Sequence, residues 1–465
     1  MTDIYKFLQF IFLIFLAACN GNENMGDRPN ILLIIIDDLG WKDVGFMGSK
    51  FYETPVIDKL AEGGVIFTQA YASASNCAPS RACMMSGQWT PRHGIYTVGS
   101  SERGSSSERK LIPVQNNTIL ADSCYTLAEA LHDAGYVTCH AGKWHLGIDP
   151  CSQGFDVNIG GSEAGNPGSY YPPYGNVNLE APAEGYYLTN LIMDKVLEFV
   201  ENTDNHPFFL YYSPYAVHTP INPVKSLIPK YKNKEEWNGQ KNIEYATMIE
   251  NLDTQLGRLL DLLEEKGKLS KTIIIFSSDN GGVYRITKQW PLRAGKGSYY
   301  EGGIREPMFI YWEGKVREET KNETPVSNLD FYPTILELAG INIPEGKILD
   351  GKSLVPLITG SGSLSERPLF WHFPVYIEGG NMETQDSIFR TRPGSVIRYG
   401  DWKLIEYFEN GDLELYNLVE DTGEQINLAG KESIKLNELH EILNGWRKTL
   451  NAPVPTKYNP EYNEN

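Results

Sequence analysis

Three carboxylates, one amide, two lysines, two histidines and a cysteine-led turn stand out in this 465-residue chain, because most of them close a run that reads as a strand. Asp37 and Asp38 end the apolar run 31–36, and Asp279 and Asn280 end 272–278. Adjacent acids at a buried strand end repel each other unless a cation lies between them. Taken alone, an Asp-Asp pair also suits a helix cap or a turn. Together, Asp37, Asp38, Asp279 and Asn280 offer four oxygen donors, which suit a hard cation, Ca2+ or Mg2+, better than zinc. Lys143 and His145 sit two apart at another strand end, an alternation that aims both at one oxyanion. His218 follows a third such run, where a hydrogen-bonded structural histidine would fit equally well. Cys77 opens the stretch 77–87, Cys-Ala-Pro-Ser-Arg-Ala-Cys-Met-Met-Ser-Gly. Asn76 is a capping type and Pro79 suits a first helical turn, which puts Cys77 at the positive end of a helix with Arg81 one turn on. A free cysteine on a helix is more often a packing residue.

The stretch 77–87 resembles the sulfatase signature Cys/Ser-x-Pro-Ser-Arg-x-x-x-Met/Leu-Ser/Thr-Gly, with every fixed position filled. Gly142-Lys143-Trp144-His145-Leu146-Gly147 and the segment 292–307 around Lys296 resemble two further blocks of that family, and His218 its His-x-Pro position. The resemblance implies an alkaline-phosphatase-like α/β fold in which a maturation enzyme oxidises Cys77 to formylglycine. It also implies a Ca2+ ion held by Asp37, Asp38, Asp279, Asn280 and the hydrated aldehyde at position 77. One hydroxyl of that hydrate, activated by the metal and Arg81, attacks sulfur. Lys143 and Lys296 hold the sulfate oxygens, His218 protonates the leaving oxygen, and His145 takes the proton from the second hydroxyl to expel sulfate. His372, in Leu369-Phe-Trp-His-Phe-Pro374, is a substrate contact or a structural residue, and its segment points to a galactose or N-acetylgalactosamine sulfate. His93 reads as structural, and Glu301 with Arg305 as a structural ion pair. The implied activity is removal of sulfate from a sulfated carbohydrate. Its rivals are a formylglycine-dependent phosphonate or phosphodiester hydrolase and a non-catalytic glycan-binding lipoprotein. Two-zinc phosphatases of the superfamily place an Asp-His pair where this chain has Asp279-Asn280.

The elements that must position these groups alternate. Apolar runs at 30–36, 65–71, 136–141, 207–212 and 272–278 read as strands. Helices are expected over 54–63, 126–134, 187–201, 242–266 and 328–340. This is the pattern of a mostly parallel sheet flanked by helices, with ligands at the carboxyl ends of its strands. From about residue 365 the pattern shifts to short strands at 395–399, 402–407 and 413–418, a hairpin signal at Asn410-Gly411, and a helix at 433–450. The expected domains are therefore a catalytic α/β domain at 29–365 and a smaller antiparallel sheet plus helix at 366–465. The Ser-rich segment 100–107 reads as a mobile surface loop. The Gly-, Pro- and Tyr-rich segment 160–182 reads as an insertion at the site mouth, whose tyrosines shape a sugar subsite or merely a surface loop.

A net charge of −18, from 41 basic and 59 acidic residues, excludes a field that would draw nucleic acid. An anionic substrate must instead be met by a local basic pocket. Residues 1–19 carry a short apolar run ending Leu16-Ala17-Ala18-Cys19, a secretory signal that resembles a bacterial lipobox. That reading makes Cys19 a lipid anchor, residues 20–28 a tether, and the protein an exported lipoprotein, periplasmic or outer-membrane-anchored. Cys83, Cys124, Cys139 and Cys151 remain for disulfides, with Cys139 and Cys151 the expected pair.

Overall fold

The computed structural model describes residues 28–203, 206–384 and 386–463. The expected signal, the Cys19 read as a lipid anchor and nearly all of the expected tether fall outside the described residues. Arg28 already lies on the domain, donating to the carbonyl of Ala134 at 2.8 Å. Among the described residues no helix is long and apolar enough to cross a membrane.

The larger sheet is built from β1 (Asn30–Ile36), β2 (Val65–Tyr71), β3 (Val137–Gly142), β4 (Val157–Ile159), β5 (Phe208–Ser213), β6 (Thr272–Ser278), β7 (Arg305–Tyr311), β8 (Thr320–Asn322) and β9 (Val326–Ser327). Its order is β4-β3-β5-β1-β6-β7-β2-β8, with β9 also on β2. The first five strands of that order are parallel neighbours, whereas β7 is antiparallel to both β6 and β2. The continuous apolar character of β1 has its explanation here, since the strand is covered on both faces. Leu32, Ile34 and Ile36 face α1 (Pro55–Glu62), α4 (Leu188–Asn202) and α5 (Ile243–Glu265). Ile31, Leu33 and Ile35 face α2 (Cys77–Ser86), α3 (Leu127–Asp133) and α6 (Phe331–Leu338).

Strand β7 escapes a reading by pattern, because Pro307 argues against an interior strand. The register between β2 and β7 shifts between Phe67 and Ala70, beside Pro307, and this irregularity accommodates the missing donor.

The smaller sheet, β10 (Leu369–Phe373), β13 (Gly394–Tyr399), β14 (Trp402–Tyr407) and β15 (Asp412–Asn417), is antiparallel throughout. A separate two-stranded piece pairs β11 (Ile377–Glu378) with β12 (Phe389–Thr391). One face of the smaller sheet packs Trp371, Phe373, Val396 and Ile405 against Tyr71, Tyr299 and Tyr300 of the larger unit. The other face packs Phe370, Ile397 and Leu404 against Leu439, Leu443 and Trp446 of α7 (Ser433–Leu450).

Three sequence expectations are corrected. Cys139 and Cys151 are free thiols, as are Cys77, Cys83 and Cys124, because Cys139 is enclosed within β3 while Cys151 sits on an exposed turn. The Ser-rich segment 100–107 is anchored: Arg103 forks onto Glu378 at 2.7 Å, and Arg109 donates to the carbonyls of Glu102, Arg103 and Gly104. The tyrosines of 160–182 turn inward. Tyr170 donates to the carbonyls of Tyr215 and His218, Tyr171 to Pro223 and Tyr174 to Tyr186, so they brace the fold and do not form a sugar platform.

A buried ion network joins the two sheets. Lys403 of β14 lies 3.0 Å from Glu301 and 2.8 Å from Glu424, all three fully enclosed. Glu301 also accepts from Tyr71 at 2.7 Å and pairs with Arg305 at 3.4 Å, the ion pair expected from sequence. Burial, with Glu301 beside it, pushes Glu424 up to about 7 despite Lys403. Between pH 4.5 and 7 the folded chain therefore holds a proton that the unfolded chain has released, so this group's contribution to stability falls as pH rises through that window. Glu424→Gln is expected to remove that part of the fall in melting temperature across the same window. Lys403→Met strands two buried carboxylates and is expected to cost about 3–5 kcal/mol, read by calorimetric unfolding.

Candidate active site

The pairing of β1 with β6 sets Asn30 through Ile36 beside Thr272 through Ser278 in unbroken register, so the two acidic pairs emerge side by side. The Asp38 amide donates to Asp279 Oδ1 at 3.2 Å, and Asn280 Nδ2 donates to Asp38 Oδ1 at 2.8 Å. Asp38 adopts φ 61°, a strained conformation for a non-glycine residue that turns its carboxylate back into the site. The ligand atoms of Asp37, Cys77 and Asp279 lie within 4.8 Å of one another, as do those of Asp37, Asp38 and His218.

Cys77 is the first residue of α2 and almost fully buried. Asn76 does not cap the helix as its residue type suggests. Its amide donates to Thr97 Oγ1 at 3.1 Å, leaving the helix N-terminus uncapped by that side chain. Farther along α2, Arg81 is wholly enclosed. Its Nε and Nη2 both reach Asp279 Oδ2 at 2.8 Å, and Nη1 donates to the Lys143 carbonyl at 2.9 Å. His93 packs against Cys83 Sγ at 3.4 Å and accepts from the Ile95 amide, with burial pushing it down to about 3.

Lys143 and His145 diverge where strand alternation would aim them together. Strand β3 ends at Gly142, whose φ of 109° and close approach to the Ser213 carbonyl no side chain would allow. His145 then enters the left-handed region at φ 62°. Lys143 consequently turns beneath the site and grips both Asp37 oxygens at 3.0 and 2.8 Å, while His145 lines the cavity. His218 directs Nδ1 toward the Thr219 carbonyl at 2.6 Å, which leaves Nε2 facing Asp38 Oδ2 at 3.6 Å. Lys296 lies 2.6 Å from Asp38 Oδ1 and 4.0 Å from Cys77 Sγ.

Charge in this enclosure is balanced locally. Burial raises Asp37 well above the usual carboxylate range, although Lys143 opposes it. Burial also acts on Asp38, but Lys296, His218 and Lys143 outweigh it and hold that carboxyl low. Burial and the nearby Lys296 push His218 down to about 3. Asp38 Oδ2 and Asn280 Oδ1 are buried with no hydrogen-bond partner. Two orphaned oxygens beside two further carboxylates fit a hard divalent cation, and this oxygen-rich donor set does not favour zinc.

These groups open on a cavity of about 240 Å³ whose walls include Cys77, His145, His218 and Lys296. His372 is not among them. It is buried in β10, bonded to Ser395 Oγ at 2.8 Å and to the Pro453 carbonyl at 2.9 Å, and so is structural. The C-terminal unit reaches the cavity through Ile377 and Arg390 instead, and Arg103, Asn166 and Arg285 complete the rim. Sequence reasoning missed Ile377, Arg390, Arg103 and Arg285, whereas Asn166 belongs to the segment 160–182 expected at the site mouth. The available signals were Arg285 six positions beyond Asp279 and the Arg390-Thr-Arg392 cluster in an otherwise acidic chain.

The Sulfatase family model matches residues 29–341, and that of the N-sulphoglucosamine sulphohydrolase C-terminal region matches 295–449. The chain belongs to the sulfatase family. It is a sulfuric ester hydrolase of mostly parallel α/β architecture. A sulfatase of Formosa agariphila is 32% identical, covering 98% of this chain and 95% of that protein. Human N-acetylgalactosamine-6-sulfatase is 30% identical over 76% of this sulfatase and 70% of its own length. The crystal structure of Ps i-CgsB in complex with k-i-k-neocarrahexaose superposes with a TM-score of 0.76 at 29% identity, covering 93% of this chain and 95% of that one.

Arg81 acts on Asp279 through a planar fork that a lysine does not reproduce. Arg81→Lys is expected to weaken divalent-cation binding about 10–100-fold, measured by calorimetric titration, while the chain still folds.

Proposed function

We propose that this sulfatase removes sulfate from a sulfated carbohydrate, using formylglycine made from Cys77 and a Ca2+ ion held by Asp37, Asp38, Asp279 and Asn280. The observation that carries the reading is the convergence of position 77 with Asp37 and Asp279 inside one 4.8 Å cluster, beside Lys296. In the chain as described, Cys77 Sγ stands where an aldehyde hydrate oxygen would lie. When present, the cation and hydrate would supply a polarised ester and two exchangeable hydroxyls, the second of which allows release of sulfate.

The remaining work falls to this chain's side chains. Lys296, between Asp38 and position 77, binds sulfate oxygens and stabilises charge spreading over them. His218, with Nε2 facing inward and its low proton affinity raised by the negative charge of the arriving sulfate, protonates the leaving sugar oxygen, and His145, also on the cavity wall, accepts the proton that precedes sulfate release. Lys143 and Arg81, which face Asp37 and Asp279 rather than the cavity, hold those carboxylates in place, and Lys143 adds positive charge beneath the sulfate. The sugar assignment draws on the neocarrahexaose-bound neighbour and on the N-acetylgalactosamine-6-sulfatase relatives. The lipobox reading makes the protein an exported, lipid-anchored enzyme matured by a formylglycine-generating partner, with a catalytic unit at 29–365 and a C-terminal unit at 366–465.

Mass spectrometry of the Cys77 peptide, from a host with the maturation machinery, is expected to show the aldehyde, and a plain thiol in fully active enzyme would overturn the proposal. Cys77→Ala should lower sulfate release by roughly a thousandfold or more. Sulfate esters should be cleaved faster than matched phosphonate esters, and the reverse order would favour the rival hydrolase. Ca2+ at a hundredfold its Kd should stabilise the protein by about 2.7 kcal/mol, a gain absent from Asn280→Ala, and a larger gain from Mg2+ would change the ion.

A further inference from the structure

Three arginines ring the mouth of the catalytic cavity, and their charges are not treated alike. Arg103 is neutralised by the bidentate pairing with Glu378. Arg285 and Arg390 have no carboxylate partner among the described residues, although both line the cavity. Arg285 is exposed at its edge.

Arg390 is firmly seated. It projects from β12, donates from Nη1 to the Lys296 carbonyl at 3.2 Å and from Nε to the Gly379 carbonyl at 3.3 Å. Its side chain lies against two glycines with positive φ. A Cβ on Gly297 would fall 2.7 Å from Arg390 Cδ, and one on Gly379 would fall 3.3 Å from its Nε. Backbone carbonyls thus fix the guanidinium without cancelling its charge, and Nη2 makes no hydrogen bond among the described residues. Burial lowers its proton affinity, and Arg285 and Arg103 add to that effect while Asp38 and Glu378 oppose it. A half-buried, immobilised cation beside two others is electrostatically incomplete until an anion arrives.

That cationic charge is surplus to the sulfate being cleaved, which Lys296 already meets. The chain as a whole carries −18, so the positive rim is a local feature and not part of a general basic surface. Arginine's planar fork matches the paired oxygens of a sulfate ester or a carboxylate. Arg390 also borders a neighbouring hollow of about 370 Å³, so a ligand running out of the cavity passes over it.

We infer that Arg390 and Arg285 bind a second anionic group, a sulfate ester or a carboxylate, on the sugar being desulfated or on its neighbour in the chain. The preferred substrate is then a multiply charged oligosaccharide. This rests on the sulfatase reading above and names the substrate class for it.

The test compares mature enzyme on matched saccharides: neocarrabiose with one or two sulfates, and a sulfated hexosamine with or without an adjoining uronate. An aryl sulfate reports the bare reaction. The wild type is expected to favour at least one doubly charged member, the pair identifying sulfate or carboxylate. Arg390→Ala and Arg285→Ala should each reduce that preference about tenfold, mainly through KM, with Arg390→Lys restoring part of it. Equal loss on all substrates would make Arg390 only a brace for the Lys296 loop, and overturns the inference. An unchanged ratio, or no preference in the wild type, does the same. Calorimetric binding of the same saccharides to Cys77→Ala protein measures the preference without turnover. If the wild type cleaves no sulfate ester, the sulfatase reading fails, while the binding preference still decides this inference.

Discussion

Three carboxylates, Asp37, Asp38 and Asp279, are confined where almost no water reaches, and much of the molecule is arranged to make that tolerable. The β1–β6 register delivers them to one place. Arg81, Lys143 and Lys296 then arrive from a helix, a strand end and a loop to meet one carboxylate each. Removing any cation would leave a buried negative charge, whereas an added divalent ion would satisfy Asp38 Oδ2 and Asn280 Oδ1, which the protein itself leaves unpaired. The strained backbone at Asp38 and His145 belongs to the same constraint, since ordinary strand geometry would carry both side chains away from the cluster.

The sequence was most legible where one physical rule governs a segment. Unbroken apolar runs marked β1, β5 and β6 because burial on both faces leaves no room for alternation, and the acids at the ends of β1 and β6 marked the edge on which the cavity opens. The rules failed where two of them competed. Pro307 hid β7, since a ladder irregularity that excuses a proline cannot be read from one strand. Alternation paired Lys143 with His145, but Gly142 and a left-handed turn break the alternation. Asn76 had the chemistry of a cap, but its Nδ2 donates to Thr97 while its Oδ1, the atom a cap would use, accepts no hydrogen bond.

Long-range packing was illegible in a different way. His372 and the tyrosines of the Gly-rich segment looked like surface recognition groups, yet each finds backbone carbonyls inside the fold. Residue type announces hydrogen-bonding capacity, but only the fold says whether water, ligand or main chain will use it. The rim arginines were overlooked for the converse reason, because they carry no spacing signature and matter only through what they lack.

The β11–β12 ribbon pairs with neither of the larger sheets, yet it supplies Ile377 and Arg390 to the cavity wall. Its strands keep register only with each other. Such a piece can be lengthened, shortened or exchanged during evolution without disturbing the cluster of acids beneath it. If Arg390 reads a second charge as proposed, bond breaking and the choice of which glycan to break are written in separable parts of the chain.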